Sequence, residues 1–119
     1  MDIVKRRKWL VRELRRIHIR YIERNNALQV AKRIVDDGFY KNGKKKTKVK
    51  YECADCGGLF DRTEVDVDHI DPVGSTQFLN WDDYINKLFC SMDNLQILCK
   101  PCHKRKTKKD VKEIRKKRK

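Results

Sequence analysis

Apolar residues recur along the first third of the chain at Leu10, Leu14, Ile17, Tyr21, Leu28, Ala31 and Val35, in steps of four and three once Arg24 takes one place in the series. That spacing lays one apolar stripe along a helix and predicts a helical arm over residues 1–40. Two arrangements fit: a single rod, or two helices broken at Asn25-Asn26, with Gly38 as the C-terminal stop. The plainer use of the stripe is packing on the core; a dimer seam and a DNA-gripping arm are the other two. Residues 41–50, with Asn42-Gly43 and the lysines around it, read as a polar linker or a phosphate-contacting loop. Beyond Tyr51 the period changes. Val65, Val67 and His69 alternate with Asp66, Asp68 and Ile70, which predicts a short strand ended by Asp71-Pro72-Val73-Gly74. Asn80 then caps a short helix with Asp82 and Asp83 in its first turn and Trp81, Ile85, Leu88 and Phe89 as its apolar face. From about Lys100 the composition again favours a helix, with Val111 and Ile114 as its few apolar contacts and an end that frays toward Lys119.

Charge sharpens this division. The net +14 of the 119 residues resolves into +12 over residues 1–50, −8 over 51–98 and +10 over 99–119. Basic arms neutralise the phosphates of a polyanion and release its counterions, while an acidic centre between them invites a divalent cation to bridge to the same phosphates. A core this small, in a chain with 40% charged residues, gains from a metal staple. No run of 18 apolar residues and no leader pattern interrupts the chain, so neither a membrane span nor a secretory signal is expected. The setting is read as intracellular and reducing, and the five cysteines as thiols and thiolates rather than disulfides.

Cys53-x-x-Cys56 and Cys99-x-x-Cys102 are two knuckles, each able to offer two sulfurs to one ion, and Gly57-Gly58 supplies the backbone freedom the first needs. Four thiolates close a tetrahedral shell, so the expected Zn²⁺ is structural. A redox use of either pair would need a strand-helix context, which is expected of neither. The long interval between the knuckles must carry structure of its own, and Cys90 within it reads as a buried free thiol.

Asp68-His69-Ile70 with Pro72, then Asn94-Leu95-Gln96-Ile97-Leu98-Cys99, then Cys102-His103-Lys104 together resemble the signature of the HNH nucleases, with His69, Asn94 and His103 as its three letters. The resemblance spans about residues 51–107. It implies an α+β fold: a small ββα-metal (His-Me finger) core with the four-Cys zinc site, flanked by the N-terminal helical arm and a basic C-terminal helix. The chain then divides into an arm (1–40), a lysine-rich linker (41–50), the nuclease core (51–107) and a basic tail (108–119). Members of this size, basic and zinc-bearing, are similar to those of phages. A phage-encoded protein would act in the host cytoplasm, with a phage packaging or recombination protein as partner.

The chemistry suits the residues. Asp68 and His103 offer one oxygen and one nitrogen to a divalent ion and leave its other positions for water and the scissile phosphate. Carboxylate plus imidazole accommodates Mg²⁺, Mn²⁺, Ni²⁺ or Zn²⁺. His69 is the general base, since imidazole takes protons near neutral pH. Strict alternation would send Asp68 and His69 to opposite faces, so their joint use requires the strand to end or twist at Asp71-Pro72. The resemblance gives Asn94 the role of fixing the loop that orients His69, and cleavage on the 3′-oxygen side, leaving 5′-phosphates. Lys104, Arg105 and Lys106 are expected to grip the DNA backbone without reading sequence, and His18 to lie outside the catalytic group. The resulting expectation is a metal-dependent DNA endonuclease of low sequence specificity. The alternatives are a zinc-stabilised module that only binds DNA, and a partner-controlled packaging or homing nuclease.

Overall fold

The structure is a computed structural model that describes residues 2–74 and 80–117. Helix α1 (Ile3–His18) starts on Asp2, whose carboxylate accepts the Lys5 N–H at 2.8 Å, and ends in a basic turn that suits the negative end of the helix dipole. The chain then turns at Ile19–Tyr21 into α2 (Ile22–Ala31). Of the two arrangements the stripe allows, the two-helix one is found, but Asn25-Asn26 lies inside α2 and is not the break. The inward face of α1 is Arg7, Val11, Leu14 and His18, while Ile17 is exposed. Two of those four positions are polar, so a count of apolar residues settles on a stripe one residue away. The Arg7 guanidinium carbon lies over the Trp81 ring, 5.8 Å from its centroid.

The helix expected to run on to Val35 and stop at Gly38 gives way at Lys32 to strand β1 (Lys32–Phe39), which pairs antiparallel with β2 (Lys45–Glu52). The lysine-rich run expected as a linker is therefore half of a hairpin. Its period explains this: Lys46, Lys48 and Lys50 alternate with Thr47, Val49 and Tyr51, a strand pattern, and Ile34 lies opposite Val49. The repulsion among the lysines is relieved by Asp37, which pairs with Lys46 and Lys48, and by Asp61, which accepts from Lys50 at 2.7 Å. Gly38, at φ 83°, sits where the register shifts between Asp36 and Phe39, a left-handed position that favours glycine. A short β3 (Leu59–Phe60) completes this sheet along the end of β2.

A second, two-stranded sheet carries the acidic centre. Strand β4 (Val65–His69) pairs antiparallel with β5 (Leu95–Cys99), and α4 (Lys100–Lys117) follows β5 without a loop. Between the strands stands α3 (Trp81–Leu88), capped by Asn80 as expected, its side chain accepting from Asp83 N–H at 2.8 Å. Its inward face is Trp81, Tyr84 and Leu88; Ile85, expected there, faces solvent. Val65, Val67, Leu95 and Ile97 on one face of the strand pair bury against Ala27 and Leu28 of α2. Leu98 packs among the cysteines, and Val11 of α1 packs on Tyr84 and Leu88. The N-terminal helices are thus docked, α2 on the β4–β5 pair and α1 on α3, rather than trailing from the domain. The expected fraying toward Lys119 concerns Arg118 and Lys119, which lie outside the described residues. No helix among the described residues is long and apolar enough to cross a membrane.

Candidate active site

The sulfur atoms of Cys53, Cys56, Cys99 and Cys102 all lie within 4.8 Å of one another. A tetrahedral Zn²⁺ with bonds of about 2.3 Å needs sulfur–sulfur edges of about 3.8 Å, and Cys56 and Cys99 stand at 3.9 Å. Local backbone builds the cluster: Gly57 at φ 74° lets the first knuckle turn back on itself, and the Cys53 N–H donates to the Gly58 carbonyl at 2.9 Å. The sulfurs are electrostatically at odds without a cation. Burial pushes the Cys53 thiol up, but N–H groups of Cys56, Cys99 and Asp55 aimed at its sulfur outweigh that and bring it down to about 6. Cys102 is pushed up to about 12, first by the hydrogen bond it shares with Cys99 and then by burial. Four sulfurs this close cannot all be thiolates unless a divalent ion compensates them, so the donor set fits zinc.

Immediately after the second knuckle, His103 leaves α4 toward β4. Its Nδ1 lies 3.0 Å from Asp66 Oδ2 and its Nε2 lies 3.5 Å from Asp68 Oδ1. Asp66 and Asp68 sit two apart on one strand and so share a face. The other Asp66 oxygen accepts from Lys100 Nζ at 2.7 Å. Burial pushes the Asp66 carboxyl up, but the hydrogen bonds from Lys100 and His103 outweigh it and hold it below the usual carboxylate range. Asp66 accepts from His103 Nδ1, so the ring is turned with Nε2 toward Asp68. Asp68 is 8% exposed; its Oδ2 accepts from Gln96, its cross-strand partner, at 3.0 Å and pairs with Lys106 at 3.1 Å. Its Oδ1 faces His103 Nε2 at 3.5 Å, one oxygen and one nitrogen that a divalent ion could share. Two ligands at about 2.1 Å on neighbouring positions of a six-coordinate ion lie about 3.0 Å apart, so the pair at 3.5 Å would have to draw slightly closer to share a divalent ion. Asp66 was absent from the sequence-based set, although its parity with Asp68 on β4 was a usable signal.

His69 ends β4 and turns the other way, into a cleft of about 350 Å³ that Asp68 and His103 also line. Its Nε2 lies 2.8 Å from the Leu88 carbonyl oxygen. A carbonyl only accepts, so Nε2 carries the proton, and Nδ1 keeps a lone pair to which no hydrogen bond is formed among the described residues. Burial lowers the pKa of His69, and the guanidiniums of Arg24 and Arg15 push the same way against the Leu88 carbonyl and Asp68. Asn94 grips the turn after β4 from three directions. Its Oδ1 accepts from Asp71 N–H at 2.9 Å, its Nδ2 donates to the Asp71 carbonyl at 3.2 Å, and its own carbonyl accepts from Ile70 N–H at 2.8 Å.

The basic triplet on α4 splits. Lys104 is exposed, Arg105 donates to Cys102 Sγ at 3.0 Å and lies 3.7 Å from Asp55, and Lys106 turns inward to the His69 carbonyl at 2.8 Å, Asp68 and Asp110. A broader depression of about 470 Å³ runs along the neighbouring face of α4, where Arg105 pairs with Asp55 and Lys106 with Asp110. His18, from α1, is 3% exposed and stacks on His69 with ring centres 5.2 Å apart at 30°. Nothing in its spacing from the signature residues signals that contact.

Against known proteins, residues 53–109 match the family model described as HNH endonuclease. No curated protein and no solved structure matches the chain. The matched stretch begins at the first zinc-knuckle cysteine and contains β4, β5, both knuckles and the start of α4. Residues 53–109, a little under half of the chain, are accordingly an HNH endonuclease domain by this match.

Proposed function

We propose that the chain is a DNA endonuclease that hydrolyses a phosphodiester in the cleft between β4, α4 and the N-terminal helices. The observation that carries the reading is the tautomer of His69: with Nε2 committed to the Leu88 carbonyl, Nδ1 is a held, unprotonated base at neutral pH, beside a carboxylate–imidazole pair suited to a cation. His69 Nδ1 takes a proton from water as the water oxygen attacks phosphorus. The 3′-oxygen leaves with the bonding electrons, takes a proton from solvent, and a 5′-phosphate remains. Asp68 Oδ1 and His103 Nε2 would hold the divalent ion, Mg²⁺, Mn²⁺ or Ni²⁺, which when bound neutralises charge on the phosphate and the leaving oxygen. Asp66 orients His103, and Lys106 and Gln96 orient Asp68. Asn94 fixes the turn that follows His69. The four cysteines would hold a structural Zn²⁺ that sets where α4 begins and hence where His103 points.

Cleavage of low sequence specificity is the reading we adopt, since the charged groups lining the cleft suit a metal, a base and phosphate oxygens. Incubation of supercoiled plasmid with the zinc-loaded protein and Mn²⁺ or Mg²⁺ tests it. The wild-type chain is expected to nick and His69→Ala to be slower by 10²-fold or more, in line with a lost general base. Equal rates would leave a zinc-stabilised DNA-binding module.

A further inference from the structure

We propose that the N-terminal helical pair forms the second wall of the active site, with Arg24 and Arg15 as the guanidiniums that bind DNA phosphate at the cut. Neither arginine falls within residues 53–109, so the family match assigns them nothing. The inference rests on the nuclease reading of the same cleft.

Arg15 and Arg24 line that cleft together with Asp68, His69 and His103. Arg24 is half-buried, and its Nη1 donates to His18 Nδ1 at 3.3 Å. His18 accepts there, so it is neutral and its proton lies on Nε2, which is buried without a hydrogen-bond partner among the described residues. The Leu88 carbonyl lies near both imidazoles, but its hydrogen bond goes to His69.

The charges on this wall are unmatched. Among the described residues Arg24 forms no ion pair, whereas Lys50 and Lys106, also little exposed, each hold a carboxylate. Asp66 is near enough to favour the charged guanidinium of Arg24, yet both its oxygens are taken by Lys100 and His103. A partly desolvated cation with no counter-ion costs stability until an anion arrives, and a guanidinium fork matches phosphate oxygens. Arg15 stands one turn before His18 on the same helix, exposed, and completes a cationic wall facing the Asp68–His103 pair. On the nuclease reading, the anion that belongs between a cationic wall and a metal-binding wall is the scissile phosphodiester.

The test uses the full-length, zinc-loaded chain in two assays. In plasmid nicking with Mn²⁺, Arg24→Ala is expected to lower kcat/KM by 10²- to 10³-fold, Arg24→Lys to recover part of that loss, and Arg15→Ala to lower it at least fivefold, with zinc content and Tm close to wild type. In the His69→Ala background, binding of a short duplex is followed against salt, and each arginine removed is expected to reduce the log–log slope by about 1. Should Arg24→Ala lose zinc or melt early, Arg15→Ala, at an exposed position, decides. Nicking by Arg15→Ala and Arg24→Ala within twofold of wild type would overturn the proposal. A wild-type chain that binds but does not nick would sink the nuclease reading instead, and an unchanged salt slope in both variants would then overturn the arginine wall by itself.

Discussion

Asp66 and His103 share a 3.0 Å hydrogen bond between Oδ2 and Nδ1, and that bond decides which nitrogen of His103 is left for Asp68. Without it the ring is free to flip or to carry its proton on Nε2, which would make the Asp68–His103 contact an ordinary hydrogen bond instead of the proposed metal-binding pair. Carboxylate support of a metal-binding histidine is worth 10- to 100-fold in metal affinity.

Asp66→Ala is therefore expected to raise the Mn²⁺ concentration for half-maximal nicking by about 10- to 100-fold, with the rate at saturating Mn²⁺ falling much less. Titration of initial nicking rate against Mn²⁺ measures this. An unchanged half-saturation point would mean that Asp66 does no more than anchor Lys100.

The zinc cluster makes a separate prediction, because it sets the start of α4 and Leu98 packs among its sulfurs. One Zn²⁺ per chain is expected by atomic absorption. Strong chelation or Cys99→Ser should remove the metal, most of the cooperative melting transition and the nicking activity together, since a structural zinc contributes its binding energy to folding. Added Mg²⁺ should restore none of these. A chain that melts cooperatively at an unchanged Tm after chelation contradicts the assignment.

Asn94 tests how a residue that touches only backbone affects the cleft. Asn94→Asp keeps the acceptor for Asp71 N–H but sets a carboxylate against the Asp71 carbonyl, where Nδ2 now donates. Loss of that bond and the repulsion that replaces it should cost about 1–3 kcal/mol of stability. A tenfold or larger fall in kcat with KM nearly unchanged is expected, measured by steady-state cleavage of a short duplex. A fall in Tm with no loss of kcat would make the clamp purely structural.

His18 gives the fold a pH dependence with a definite sign. Burial, reinforced by Arg24, lowers its pKa from the ordinary 6.5 to about 4. The unfolded chain binds the proton first as pH falls, so this contribution to stability is fully present above pH 6.5 and is lost as pH drops toward 4. Melting curves across that window should show wild-type Tm falling more steeply with acid than that of His18→Gln. Parallel curves would show that His18 is not held neutral by the fold.

The parts of this architecture legible in the sequence are those written in local spacing. Two C-x-x-C pairs, the β4 alternation around Asp68 and the Asn80 cap each need only a few consecutive residues, and each appears where its pattern puts it. What escaped was long-range or disguised. The β1–β2 hairpin has a period-two signal in Thr47, Val49 and Tyr51, but the interleaved lysines read more loudly as a solvated run. The inward face of α1 is half polar, so Arg7 and His18 hid it. Arg24 and His18 reach the cleft only because Ala27 and Leu28 dock α2 on the β4–β5 pair, a contact no local pattern announces. Lys106 follows the same logic in reverse: its sequence neighbours mark it as a surface cation, yet α4 turns it toward Asp68.

The account rests on one shared cation, and anomalous scattering from crystals soaked in Mn²⁺ locates it most directly. A peak between Asp68 Oδ1 and His103 Nε2, separate from the zinc peak among the four sulfurs and beside an unligated His69, is the predicted result. A manganese peak on His69 Nδ1, or at a place that Asp68 and His103 do not both reach, would contradict it.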